Sequence, residues 1–181
     1  MPSNAPLSNA DTALLGLLCE GRMHPWQIQE VVEYRDMRFW THLSQSTIYK
    51  QLRSLQRDGR VRCRPMVCDG RLRKVYSVTR KGREALLARL REWLAEPEHV
   101  KWRVDLATYN LHLLPRRQVL ASLKTYRRKL QEGIACYREL DAFLESCGCP
   151  VHHRAVARRP VHLLEAEIRW LDEFVAELKR R

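Results

Sequence analysis

Apolar residues recur along this chain at two spacings. Ile48, Leu52 and Leu55 are four and three positions apart, the period of a helix with one buried stripe. Turning 100° per residue places Ser46, Lys50, Arg53 and Arg57 opposite that stripe. Thr47 and Ser54 flank the polar side, and Tyr49 lies between the two faces. Ser44 is positioned to cap the first turn and Gly59 to end the helix. Beyond Gly59 the period shortens. Val61, Cys63 and Met66 are interspersed with arginines, Asp69-Gly70 supplies a two-residue hairpin turn, and Leu72, Val75, Tyr76 and Val78 form the return strand with imperfect alternation.

Upstream, Met1 to Leu7 reads as a loose arm. A first helix starts at Asn9 or Asp11, carries Ala13, Leu14, Leu17 and Leu18 on one side, and closes at Glu20-Gly21. Pro25 opens a second helix with Trp26, Ile28, Val31 and Val32 on its apolar side. Phe39, Trp40 and Leu43 form a short apolar patch before the third. Downstream, Thr79 caps a helix running through Ala85, Leu86, Leu87, Leu90, Trp93 and Leu94, which Pro97 stops. The fold class is therefore mainly α. Residues 1–95 form a winged helix-turn-helix of three helices and a two-stranded β wing, and residues 96–181 form an all-helical domain.

The second domain is expected to hold three segments. One spans about Val100 to Leu113, with Trp102, Leu106, Tyr109 and Leu113 at helical spacing. One runs from Pro115 to Cys147, with Leu123, Tyr126, Leu130, Ile134, Tyr137, Leu140 and Leu144 as its seam, a rod of roughly 45 Å. The last begins near Val161 or a turn earlier, with Pro160 in its first turn, and repeats Leu164, Ile168, Leu171, Val175 and Leu178 in a 4,3,4,3 series. That strip predicts a homodimer; an intramolecular helical hairpin is the alternative.

Charge gives these elements a partner. The 181 residues carry 33 Lys and Arg against 21 Asp and Glu, a net of +12. Between Ser44 and Gly82 eleven basic residues face only Asp58 and Asp69, so +9 of that surplus lies in the helix, the hairpin and the start of the next helix. Such a stretch points to double-stranded DNA. Ser46, Thr47, Lys50 and Arg53 would meet base edges, while Tyr49, Arg57, Arg71, Arg73 and Lys74 would hold phosphates. Two-fold symmetry would match an inverted-repeat operator, with half-sites one or two turns apart at roughly 34 Å per turn.

Other classes find little in the sequence. It has no Gly-rich phosphate loop, no His-Glu-x-x-His and no nucleophile with a nearby base, so an enzyme is not expected. No apolar run reaches the length of a membrane span and no secretory signal is evident, which predicts a soluble cytoplasmic protein. No cofactor or metal is expected. Of six scattered cysteines, Cys19 and Cys136 sit on apolar helix faces and are read as core. Cys147 and Cys149 stand close to His152 and His153, which leaves a thiol- or metal-responsive regulator as the alternative function.

The same residues resemble the PadR-like transcriptional regulators over nearly the whole chain. The leucine-rich ALLGLLCEG, the turn GRMHPWQI, Ser46-Thr47-Ile48-Tyr49-Lys50 followed by Leu52, Leu55 and Gly59, Gly70-Arg71-Leu72-Arg73-Lys74-Val75-Tyr76, and Thr79-Arg80-Lys81-Gly82 carry the likeness. Pro25-Trp26 stands where the family has Gly-Tyr, and Lys50 where it has proline. The helical C-terminal region is similar to that of longer-tailed members that dimerise through it. The resemblance implies a repressor released by a small phenolic or planar effector. Trp93, Trp102, Tyr109, Tyr137 and Trp170 are the aromatic residues that would line such a pocket.

Overall fold

The computed structural model describes residues 6–37, 41–68 and 70–180. Phe39, Trp40, Asp69 and most of the N-terminal arm lie outside the described residues. The chain divides into two compact units, Met1–His99 and Val100–Arg181.

The first unit contains α1 (Asn9–Glu20), α2 (Pro25–Tyr34), α3 (Gln45–Arg57), the antiparallel strands β1 (Val61–Cys68) and β2 (Arg71–Val78), and α4 (Arg80–Ala95). Each of its helices begins on a side-chain cap. Ser8 and Asp11 form a reciprocal capping box for α1, Ser44 accepts the Thr47 N–H for α3, and Thr79 accepts the Gly82 N–H for α4. In α2 the cap is an imidazole: His24 Nδ1 accepts the Gln27 N–H, while the Gln27 side chain accepts the His24 N–H. Leu14, Leu15, Leu17 and Leu18 of α1 are all buried, so α1 is wrapped by α3, α4 and β2 instead of showing one apolar side. Ile28 and Val32, the stripe Ile48, Leu52 and Leu55, Leu43, Val61, Tyr76 and Leu86 complete the core.

The wing departs from its sequence pattern. Gly70 turns the hairpin at φ +71, a conformation glycine adopts without strain. Val75 is buried, whereas Val67 and Leu72, paired across the strands, stand about three-quarters exposed near the tip. The base of β2 rests on the core and its outer half projects beyond it. The wing is also tied sideways, since Met23 and Tyr76 exchange backbone hydrogen bonds of 3.1 and 2.9 Å immediately before His24. At the wing's foot, the Thr79 hydroxyl lies 2.8 and 3.0 Å from the Gly59 and Arg60 carbonyls, and Lys81 Nζ donates to the Asp58 carbonyl.

The second unit consists of α5 (Arg103–Tyr109), a 3₁₀ turn (Leu111–Leu113), α6 (Arg116–Ser146) and α7 (Val151–Arg180). The expected single helix over 100–113 breaks at Asn110, whose side-chain amide donates to the Leu106 carbonyl at 2.9 Å. Trp102, Leu106, Tyr109 and Leu113 are exposed and form no seam within this unit.

The last helix starts ten residues earlier than expected, and Pro160 lies in its interior. Proline deprives the Val156 carbonyl of its helical donor. Packing and ion pairs hold the first turns regardless: Ala157 is fully buried, and Arg154 and Arg158 both reach Asp141 on α6. Arg154 also pairs with Glu145. The Leu164, Ile168, Leu171, Val175 and Leu178 series is engaged within the chain, packing with Val119, Leu123, Tyr126 and Leu130 of α6. α6 and α7 thus form the intramolecular hairpin. Cys136 is exposed on α6, not core, while Cys19 packs against the core of the first unit.

Candidate nucleic-acid interface

Burial of the Ile48 stripe fixes what α3 presents to solvent. Ser46, Lys50, Arg53 and Arg57 are exposed along one row, with Tyr49 beside them. Ser44 bonds both Ser46 and Thr47 at the helix start, which orients two of the expected base-contacting hydroxyls. Arg57 is drawn toward Ser54, at 3.1 Å, and toward Asp58. On the wing, Arg62, Arg64, Arg71 and Lys74 are exposed and Arg73 is half-buried.

Two of the basic residues counted from the sequence serve the fold instead. Arg60 is buried beneath the foot of the wing, and Lys81 is spent on the Asp58 carbonyl. Sequence periodicity has no means of marking either, because both lie in the junction between period-3.6 and period-2 segments.

Between the first turn of α2, the middle of α3 and strand β2 lies a cleft of about 330 Å³. Its lining includes His24, Trp26, Tyr49, Arg53, Arg73 and Lys74. Trp26, expected on the apolar side of α2, is half exposed, and its indole N–H donates to Glu30 at 2.8 Å. Tyr76 closes the cleft at its inner end. Burial pushes the Tyr76 phenol above its ordinary range, helped by Cys63 opposite it, while Arg53 pulls the other way. His24 and Trp26 were not expected at this face; the clue was the imidazole in an N-cap position, where a side chain is held in one orientation.

The remaining expected site residues are scattered. Trp93 belongs to the first unit and carries the Arg89 guanidinium 5.1 Å from its ring centre. In the second unit Trp170 stacks on Phe174 at 5.5 Å, Tyr137 is half-buried, and Trp102 and Tyr109 are exposed. None of these five lines the cleft. Cys147, Cys149 and His152 flank the α6–α7 turn, where His152 meets His153 edge-on. Among the described residues no group of three or more His, Cys, Asp or Glu is arranged to hold a metal ion, and the thiol- or metal-responsive alternative finds no support. Among them, too, no helix is long and apolar enough to cross a membrane.

Comparison with known proteins agrees with this geometry. Residues 14–88 match the transcriptional regulator PadR-like family, and residues 106–179 match the virulence activator alpha C-terminal family. A probable transcriptional regulator of Mycobacterium tuberculosis is 28% identical over 93% of this chain and 97% of its own length. Among solved structures, Bacillus subtilis PadR in complex with operator DNA superposes with a TM-score of 0.74 at 22% identity, covering 96% of this chain and 99% of that one. The same protein in complex with p-coumaric acid also gives 0.74, at 21% identity over 98% and 99%. The Vibrio cholerae virulence activator AphA gives 0.69 at 21% identity over 95% and 99%.

Proposed function

We propose that the chain is a PadR-like transcriptional regulator, a sequence-specific repressor that binds an inverted-repeat operator as a homodimer. The observation that carries this reading is the sorting of α3: three apolar residues wholly buried, and a hydroxyl, a lysine and two arginines presented in one exposed row. Ser46, Thr47, Lys50 and Arg53 read base edges, and Tyr49, Arg57, Arg71, Arg73 and Lys74 hold phosphates. Residues 1–95 act as the DNA-binding domain and 96–181 as the dimerisation domain. The Leu164, Ile168, Leu171, Val175 and Leu178 series holds the hairpin that presents the dimer face. Phe143, Leu163 and Trp170 are large apolar side chains left exposed on its two long helices.

Release is proposed to follow from a small planar organic acid that binds better to a conformation with lower DNA affinity. The likeness to a regulator solved with p-coumaric acid supports that effector class. Its candidate contacts in the second unit are Trp102, Tyr109, Tyr137 and Trp170, and Trp93 is a further candidate in the first.

The test is fluorescence anisotropy with the DNA upstream of the protein's own gene, against a shuffled duplex, at two salt concentrations. Tight binding to the native fragment with weak, salt-sensitive binding to the control is the expected result. Equal affinity for both would overturn sequence specificity. A monomer by sedimentation on operator DNA would overturn the dimer.

A further inference from the structure

The tip of the wing carries an apolar pair that none of the contacts proposed above uses. Val67 on β1 and Leu72 on β2 lie directly opposite one another and are 72% and 74% exposed. Directly paired residues share a face of the hairpin, and so do residues two apart on one strand. One face therefore runs from the buried Tyr76 with Cys63, through Lys74 with Pro65, to Leu72 with Val67. Tyr76 and Lys74 line the cleft beside α3, so this is the side of the wing turned toward that helix. It starts in the core and ends in solvent, and Lys74 alone interrupts its apolar side chains below the tip, apart from the Tyr76 hydroxyl and the Cys63 thiol.

The surroundings select the partner. Residues 61–78 carry five basic side chains and one acidic one, Asp69 in the turn. Arg64, Arg71 and Lys74 are exposed on the same hairpin. A polyanion that offers apolar surface between its charges answers both features. In duplex DNA that surface is the deoxyribose wall of the minor groove, about 6 Å wide between its rows of phosphates. Leu72 lies two residues beyond Lys74, roughly 7 Å nearer the tip. A lysine on the phosphate rim thus leaves the pair past the rim, inside the groove.

We infer that Val67 and Leu72 enter the minor groove next to the α3 contacts, pack on its deoxyribose walls and select A·T pairs beneath them. This rests on the DNA-binding reading. Both kinds of base pair present acceptors on the groove floor, and a G·C pair adds the guanine N2 amino group. An aliphatic side chain cannot accept that group's hydrogens, and covering it strips them of water. The preference falls on positions that the exposed row of α3 does not reach.

The test uses the full chain and the DNA upstream of its own gene. Each A·T pair is replaced in turn by G·C and by inosine·cytosine, and each G·C pair by inosine·cytosine. Inosine lacks the N2 amino group, so its pair with cytosine presents the major groove of G·C and the minor groove of A·T. Wild type is expected to bind roughly tenfold more weakly with G·C than with A·T at about one position in each half-site. Inosine·cytosine at that position should bind as A·T does. Val67→Thr combined with Leu72→Thr keeps β-branched residues at both places, and with them the strand pairing. That variant should bind the A·T duplex more weakly and discriminate G·C from inosine·cytosine by roughly twofold or less. Its slope of log affinity against log salt should match wild type, since no charge is removed.

Equal discrimination by wild type and variant, or no inosine-reversible position for wild type, would take the pair out of the groove and leave the DNA-binding reading standing. A lowered salt slope in the variant would also overturn the inference, assigning the pair to the hairpin stability that presents Arg71 and Lys74. Failure of wild type to bind any duplex would overturn the DNA-binding reading itself, and the inference with it.

Discussion

A Cβ on Gly82 would lie 2.0 Å from the carbonyl oxygen of Arg60. The first turn of α4 thus presses directly on the backbone that leads into the wing, and only a hydrogen fits between them. Thr79 completes the joint with its hydroxyl on the Gly59 and Arg60 carbonyls. The Thr-x-x-Gly spacing is therefore one contact surface, in which the residue that caps the helix and the residue that permits its approach lie three positions apart.

Gly82→Ala is accordingly expected to destabilise the chain by roughly 2–4 kcal/mol, because backbone must move to admit the methyl group. Thr79→Ala removes the cap and both carbonyl contacts and is expected to cost about 1–2 kcal/mol. Urea unfolding of each variant measures both. A wild-type midpoint for Gly82→Ala would mean that α4 slides away from Arg60 freely.

Lys50→Ala should weaken operator binding by about 1–3 kcal/mol and broaden the set of sequences accepted. Arg71→Ala, at the wing, should weaken binding to all sequences by a similar factor and lower the slope of log affinity against log salt by about 0.9. Anisotropy against a panel of single-base operator variants separates the two. A changed base preference in Arg71→Ala would place the wing tip on base edges.

The α6–α7 hairpin is expected to loosen in acid. Hydrogen bonds from Arg154 and Arg158 hold the Asp141 carboxyl down at about 2, below its unfolded value. Its contribution is thus complete above the ordinary carboxylate range near pH 4 and disappears as pH falls through about 2. Asp172, held down by Arg127, acts in the same direction. Thermal melts followed by far-UV circular dichroism between pH 5 and 2 should show a steeper decline for wild type than for Asp141→Asn. Parallel declines would assign the acid sensitivity to other carboxylates.

Leu171 is fully enclosed between α6 and α7, and Leu171→Ala is expected to cost about 2–5 kcal/mol. Leu163→Ala, on an exposed position of the same helix, should leave the unfolding of dilute protein nearly unchanged and weaken self-association instead. Sedimentation equilibrium alongside urea titration checks the pair of outcomes.

Much of the first unit was legible in the sequence because local signals agreed there. The 4,3 spacing of Ile48, Leu52 and Leu55, the caps Ser44 and Thr79, and the glycines at 59 and 70 each specify a conformation by themselves. Part of what escaped was set by distant groups. Pro160 looks like a helix start until Asp141, which lies 13 residues before Arg154 and 17 before Arg158, is seen to hold both on the preceding turns. Asn110 breaks a helical pattern by bonding its own backbone neighbour. Arg60 counts as a surface charge until the fold buries it. The Leu164 series was legible as a seam, but spacing does not say whether the partner helix comes from the same chain.

The two rows of α3 share no residue: the enclosed leucines and isoleucine hold the helix, and Ser46, Lys50, Arg53 and Arg57 contribute almost nothing to enclosure. On the proposed reading of this row, recognition is uncoupled from stability. New operator preferences can be explored by mutation of the outer row one residue at a time, at a folding cost of roughly 0.5 kcal/mol or less per step. The scaffold tolerates that drift, and paralogues with different targets could diverge without passing through an unfolded ancestor.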